Sequence, residues 1–363
     1  MKSKKFKLLA AVITSFSIFA AACSSSSSNT DSQNGGEKEG NTAKEETVTL
    51  KVATYFANTS QTYKFVTEPW MDKVTELTEG KVQFDVYPGE QLGKAHDMIN
   101  LTKDGVTDIS VYPANYFADT MPLSNTLAGM PELSINSDQG TKAYYDLVQQ
   151  NETVLETDFL KNGVRPLTFN VSPTYEIWTT GKEIRVPSDL KGLKVRTPGG
   201  VANEFYEYMG VVPVATSHSE VYEALEKGVI EALSGSSVSV DSNGTTELLK
   251  YAVTPHIGTA INCLVINEKV WQGLSEDVQK AMIEAGEEIA QQAVKYDEDT
   301  ETINKEFIET DGVFAELTEE EQAEWKKVSE EFTQTWLKEH QSDGHPYEEV
   351  MNMYKENLEK YKQ

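Results

Sequence analysis

The chain has 363 residues and a formal net charge of −26 at pH 7, from 58 acidic against 32 basic side chains. That length exceeds what one hydrophobic core usually organises, so two domains are expected, and the acidity repels nucleic acid and anionic lipid and so excludes polyanion binding. With only two cysteines, Cys23 and Cys263, a disulfide framework and a cysteine-based metal site are excluded as well.

Residues 1–22 read as a secretory signal: Lys2, Lys4, Lys5 and Lys7, an apolar stretch from Leu8 to Ala22, and small residues before Cys23. The apolar stretch is shorter than the roughly 20 residues a membrane-spanning helix needs. Ala20-Ala21-Ala22 fits an ordinary cleavage site, and the same residues before Cys23 fit a lipoprotein signal with Ala20 where leucine is usual. The following SSSSSNTDSQNGGEKEGNTAKEE is a flexible polar tether, which favours lipidation of Cys23 and places residues 23–46 as a disordered link to the outer face of the cell membrane. The alternative is an ordinary secreted protein.

The fold is expected to begin at VTLKVATYF, where Val48, Leu50 and Val52 alternate as in a strand. A helical pattern through Phe65, Val66, Trp70, Val74 and Leu77 stops at Glu79-Gly80. KVQFDVYP is a second strand, QLGKAHDMINLTKDG a short helix closed by Gly105, and VTDISVYP a third strand; together they form a β-α-β-α-β unit. The unit recurs as strand GLKVR, helix VANEFYEYM, strand VVPVA, a helix opened by the Ser217/Glu220 capping box, and strand VIEAL. INCLVI buries Cys263 as an inert thiol. From Ser275 a helical pattern without proline runs past residue 300, as one helix of more than 30 residues or as two broken near Asp297, long enough at about 1.5 Å per residue to span two lobes. Further helices are expected from Thr318 and near Pro346, with TEEEQAEW a solvated helix face.

No nucleophile-elbow, zinc-protease, CxxC or phosphate-loop motif is present, and the histidines at 96, 218, 256, 340 and 345 lack ligand spacing, so neither an enzyme nor a cofactor or metal site is expected. Gly199-Gly200 reads as a strand-to-helix turn that needs open backbone space. Recognition features are better represented. Tyr55 and Phe56 end the first strand, Tyr112 and Tyr116 follow the third, and Glu176 and Trp178 precede DLKGLKVRTPGG. In open α/β sheets ligands bind at strand carboxyl ends. Arg196 sits at such an end, where a guanidinium can grip a carboxylate through two parallel hydrogen bonds worth roughly 1.5–3 kcal/mol in a dry cleft. The alternative for Arg196 is a salt bridge to one of the many carboxylates.

YPGEQLG at 87–93, DGVTDISV at 104–111, DLKGLKVR at 189–196 and SEVYEALEKGVIEA at 219–232 occur in the order and spacing of the DctP-like extracytoplasmic solute-binding proteins of tripartite ATP-independent periplasmic (TRAP) transporters, a family that residues 48–300 resemble. The resemblance implies a two-lobed periplasmic-binding-protein-like α/β fold, each lobe a mixed sheet flanked by helices, with a long lobe-spanning helix and C-terminal helices. Lobe I is then expected at 47–171 plus 262–300 and lobe II at 172–261 plus 301–363. It implies a small organic acid as ligand, delivery to TRAP membrane permease subunits, the ligand-gripping arginine at Arg196 and a cleft aromatic near His218. The chain departs from the pattern at Glu176, where many relatives have a second arginine, and at Gly235-Ser236, where an Asn-Pro is common, leaving Ser236 as the candidate there. A carboxylate at 176 would repel a second negative group, so the expected ligand has one carboxylate and a neutral or cationic remainder. A sensory lipoprotein that presents its ligand to a membrane kinase and a secreted hydrolase are the rival readings.

Overall fold

The computed structural model describes residues 47–133 and 136–362; the signal, the tether and the lipidation of Cys23 lie outside the described residues. Among the described residues no helix is long and apolar enough to cross a membrane.

From its amino end the chain runs through β1 (Val48–Thr54), a π-helical turn at Tyr63–Thr67 and α1 (Glu68–Leu77), whose buried face is Trp70, Met71 and Val74. Glu79 and Gly80, both at positive φ, end that helix and return the chain to β2 (Val82–Tyr87). α2 (Met98–Lys103) precedes β3 (Ile109–Pro113), and α3 (Pro122–Gly129), α4 (Ser137–Gln150) and the single turn α5 (Glu152–Val154) precede β4 (Val164–Val171). The chain then crosses to β5 (Glu176–Thr179), β6 (Lys194–Thr197), α6 (Val201–Tyr208), β7 (Val212–Ala215), α7 (Val221–Glu226), β8 (Ala232–Gly235), α8 (Ser237–Ser242) and β9 (Tyr251–Val253). It crosses back into β10 (Ile261–Asn267), α9 (Glu268–Gly273), α10 (Glu276–Ala290) and α11 (Val294–Glu309), and ends with β11 (Val313–Ala315), α12 (Glu319–Glu339) and α13 (Tyr347–Lys360).

Two mixed sheets result, ordered β2-β1-β3-β10-β4 and β11-β9-β5-β8-β6-β7. In the first, β1 pairs parallel with β2 and β3, as crossover helices require, while β10 arrives from the other sheet and runs antiparallel between β3 and β4. The two crossings lie side by side: Ser172 N donates to Ala260 O and Tyr175 N to Gly258 O, each at 2.8 Å. A pair of hydrogen-bonded crossing segments thus joins the lobes, and β6, β7 and β8 direct their carboxyl ends at the space between them.

Several expectations change against the structure. The predicted strand VIEAL begins only at Ala232, because Val229 N and Ile230 N both fold back onto Ala224 O and so extend the helix end. The long helix is two, parted at residues 291–293 rather than near Asp297. α10 is fixed to the first sheet: Trp70 Nε1 donates to Met282 O, Thr168 Oγ1 donates to Gly286 O, and a Cβ on Gly286 would stand 2.1 Å from Leu167 O. The last correction concerns 301–363, which does not pack as one piece with the second sheet. α12 does reach that sheet's flank, with Trp325 Nε1 donating to Arg185 O at 2.8 Å. α13 instead lies along α4, where Gln139 Nε2 donates to Leu358 O and Tyr361 Oη to Asp146 Oδ2, each at 2.9 Å. The apolar stripe of α13, Val350, Met351 and Tyr354, selects that partner.

Candidate functional site

Between the sheets lies a cavity with about 580 Å³ of free space, its open mouth included. Among the described residues its one cation is Arg196, on β6 and 5% exposed. The parallel neighbours of β6 bring main-chain carbonyls to the guanidinium: Nε and Nη2 donate to Thr216 O at 3.2 and 3.0 Å, and Nη1 to Ser234 O at 3.2 Å. Nη2 also donates to the Tyr116 hydroxyl at 3.1 Å. The bidentate grip expected for a ligand is therefore spent on the protein's own Thr216 carbonyl, and of the five guanidinium N–H groups one on Nη1 is left over. Among the described residues no carboxylate lies within ion-pairing distance of Arg196, so none of them forms the salt bridge given as the alternative.

The walls are aromatic. Tyr55 and Phe56 follow β1, their rings 4.0 Å apart, and the His218 imidazole meets both edge-on at 6.3 and 6.2 Å. Tyr175 enters from the crossing strand and Tyr296 from the first turn of α11. His218 Nδ1 accepts from Asn243 Nδ2 at 3.1 Å, which puts the ring proton on Nε2. Burial, with the Arg196 charge added to it, pushes that imidazole down to about 3, so it is neutral at physiological pH. Burial likewise raises the Tyr55 phenol well above its ordinary value. Asn115 and Asn262 supply polar wall; Asn115 is held by donating Nδ2–H to Thr259 O at 2.7 Å and accepting from Ile261 N.

Of the residues singled out from sequence, Arg196, Tyr55, Phe56, Tyr116, His218 and Ser236 line this cavity. Glu176, Trp178 and Tyr112 do not. Side chains alternate along a strand, so Glu176 and Trp178 share the face of β5 opposite Tyr175 and Ile177. Trp178 packs on Phe307 and Phe314 and donates Nε1–H to Gly235 O, and Tyr112 lies fully buried against Phe117. Glu176 is 2% exposed, and burial, partly offset by Ser237, pushes its carboxyl up to about 8. It is neutral at pH 7 and off the cavity, so the repulsion expected of it does not operate. A second negative group is disfavoured for a different reason, the absence of any further lysine or arginine among the cavity's lining residues. Sequence reasoning missed Tyr175, one residue from a chosen position, and Tyr296, which no strand-end pattern marks.

Residues 52–339 match the family model of the bacterial extracellular solute-binding proteins, family 7. The chain is 26% identical over 260 residues to the C4-dicarboxylate-binding periplasmic protein DctP of Rhodobacter capsulatus, spanning 70% of this chain and 76% of that one. Its fold is similar to the crystal structure of a TRAP solute-binding protein from Rhodoferax ferrireducens with copurified benzoate, at 23% identity and a TM-score of 0.79 over 87% of this chain and 98% of the other. It is also similar to a marine metagenome TRAP solute-binding protein in complex with 3-hydroxybenzoate, at 24% identity and a TM-score of 0.80, covering 88% and 100%.

Proposed function

The chain belongs to family 7 of the bacterial extracellular solute-binding proteins, the DctP-like receptors of TRAP transporters, and from that premise we propose that it captures a monocarboxylate of net charge −1 with a planar, ring-sized body and hands it to a membrane permease. The observation that carries this reading is a buried guanidinium with no carboxylate partner among the described residues, set among aromatic walls. Arg196 contributes +1, while His218 is neutral and, among the described residues, no Asp or Glu lines the cavity. A monoanion cancels that charge. A zwitterion leaves +1 behind and a dicarboxylate leaves −1, and an uncompensated buried charge costs roughly several kcal/mol. The rings of Tyr55, Phe56, Tyr175 and Tyr296 favour a flat apolar body, each good ring contact adding about 0.5–1.5 kcal/mol beyond its area.

Binding without turnover is the expected activity, with Cys23 as the lipid anchor and TRAP permease subunits as the membrane partner. Lobe closure transmits the binding event, and the ligand shifts that balance only by its difference in affinity between open and closed forms. Isothermal titration of residues 47–363 against benzoate, mandelate, succinate and glycine betaine tests the reading. Monocarboxylates are expected to bind at least tenfold tighter than the other two; tighter binding of succinate or betaine overturns it.

A further inference from the structure

Tyr116 stands on the single turn after β3, in the first lobe, with its ring packed 4.7 Å from His96 and 6.1 Å from Tyr55. Its hydroxyl crosses the cleft. The oxygen accepts one hydrogen bond from Arg196 Nη2 and a second from the backbone N–H of His218, both at 3.1 Å and both from the second lobe. A phenol oxygen has two acceptor lone pairs and one proton. With both lone pairs engaged, the O–H is still to be given, and no described residue accepts it. Arg196 has the matching remainder, its last N–H on Nη1.

We propose that the Tyr116 hydroxyl is the second donor to the ligand's carboxylate, so that one donor comes from each lobe: Arg196 Nη1–H from the second and Tyr116 O–H from the first. The proposal rests on the carboxylate reading above and gives it a mechanism. A bidentate guanidinium alone would hold the acid equally well in an open protein, whereas a pair of donors split between lobes is complete only when the cleft shuts. Because Arg196 and His218 N–H both donate to it, the phenol oxygen is depleted of electron density and its O–H is a stronger donor than an isolated tyrosine's. In the shut cleft the same contacts hold the phenol in place, so its position there is set by the protein and not by the ligand.

The test compares wild type, Tyr116→Phe and Arg196→Lys by calorimetry with benzoate, phenylacetate, mandelate and pyroglutamate, alongside small-angle scattering at saturating acid. Tyr116→Phe keeps the ring and is expected to lose at least tenfold in affinity for whichever acid binds wild type most tightly, while still closing when saturated. Affinity within twofold of wild type in Tyr116→Phe, with Arg196→Lys weakened tenfold or more, overturns the inference and leaves the acid reading standing. Failure of wild type to bind any of the acids overturns both.

Discussion

Ser237 Oγ stands 2.9 Å from Glu176 Oε1 and 2.6 Å from Asn304 Oδ1, and a hydroxyl has one proton to give. A neutral Glu176 resolves the conflict: its O–H donates to Ser237 Oγ, and Ser237 donates to Asn304. The folded carboxyl holds its proton up to about 8, against 4.5 when unfolded, so between those values the folded state binds more protons and stability falls as pH rises. Glu176→Gln is expected to melt with wild type below pH 4.5 and to become progressively the more stable toward pH 8, by about 2 kcal/mol or more; parallel pH curves in thermal denaturation would show an ionised Glu176. At Arg196 truncation acts on the fold as well as on binding. Removing the guanidinium leaves the Thr216 and Ser234 carbonyls without these donors, so Arg196→Ala is expected to lower folding stability by about 1–3 kcal/mol in addition to weakening acid binding more than tenfold. An unchanged urea midpoint would mean those carbonyls find other donors. Arg196 was legible in the sequence because an arginine at the carboxyl end of a strand stands where open α/β sheets bind ligands. The choice of Glu176 and Trp178 over Tyr175 was not, since which face of a short strand meets the cavity depends on pairing that the strand itself does not encode.

At the scale of elements, α11 touches both lobes. Asp297 accepts from Ser137 N at 2.7 Å and Asp138 N at 3.0 Å, closing the amino end of α4 in the first lobe. One turn and more beyond, Asn304 receives Ser237 Oγ–H, and Phe307 packs 5.0 Å from Trp178 in the second. The break at 291–293 comes just before Tyr296, which lines the cavity, and Asp297, which reaches α4. No glycine or proline marks that break, so local propensity favours a continuous helix and tertiary contacts decide otherwise; this is why the strap was legible as helical and its division was not. The β-α-β-α-β units were legible because their periodicity is strong, and the shift of β8 escaped because a helix end captured the first residues of the apolar run. Asp297→Ala is expected to cost about 1 kcal/mol, as loss of a helix amino-terminal acceptor does, and to speed amide exchange at the start of α4 while α12 is unaffected. Unaltered exchange at Ser137 and Asp138 would detach α11 from that role.

Across the whole molecule the lobes meet on two sides of the cavity. On one side the contacts come from side chains: the Tyr116 hydroxyl with Arg196 and His218 N–H, the Tyr55 and Phe56 rings with His218, Ser219 with Glu90 at 3.4 Å, and Gln61 with Asp241 at 3.4 Å. Beside the crossing strands they are close and backbone-based. α3 approaches α6 so tightly that a Cβ on Gly129 would stand 2.7 Å from Ala202 N and 2.9 Å from the Val201 Cβ. Gly200, at φ 57°, meets Asn125, whose Oδ1 accepts from Val201 N at 3.2 Å. Gly199-Gly200 was read as a turn that needs room; the room is needed because the other lobe occupies it. Ala128 O also accepts from Thr259 N, so the α3 end is tied to a segment that crosses between the lobes. Gly129→Ala inserts a methyl into that seam and disfavours the closed arrangement without touching the cavity. Since apparent affinity scales with the population able to close, the variant is expected to bind acid several-fold more weakly, to show a larger radius of gyration when ligand-free, and to regain the wild-type radius at saturation. A variant with wild-type radius and affinity would place the pivot elsewhere, in the crossing strands alone, with α3 and α6 moving together as one body.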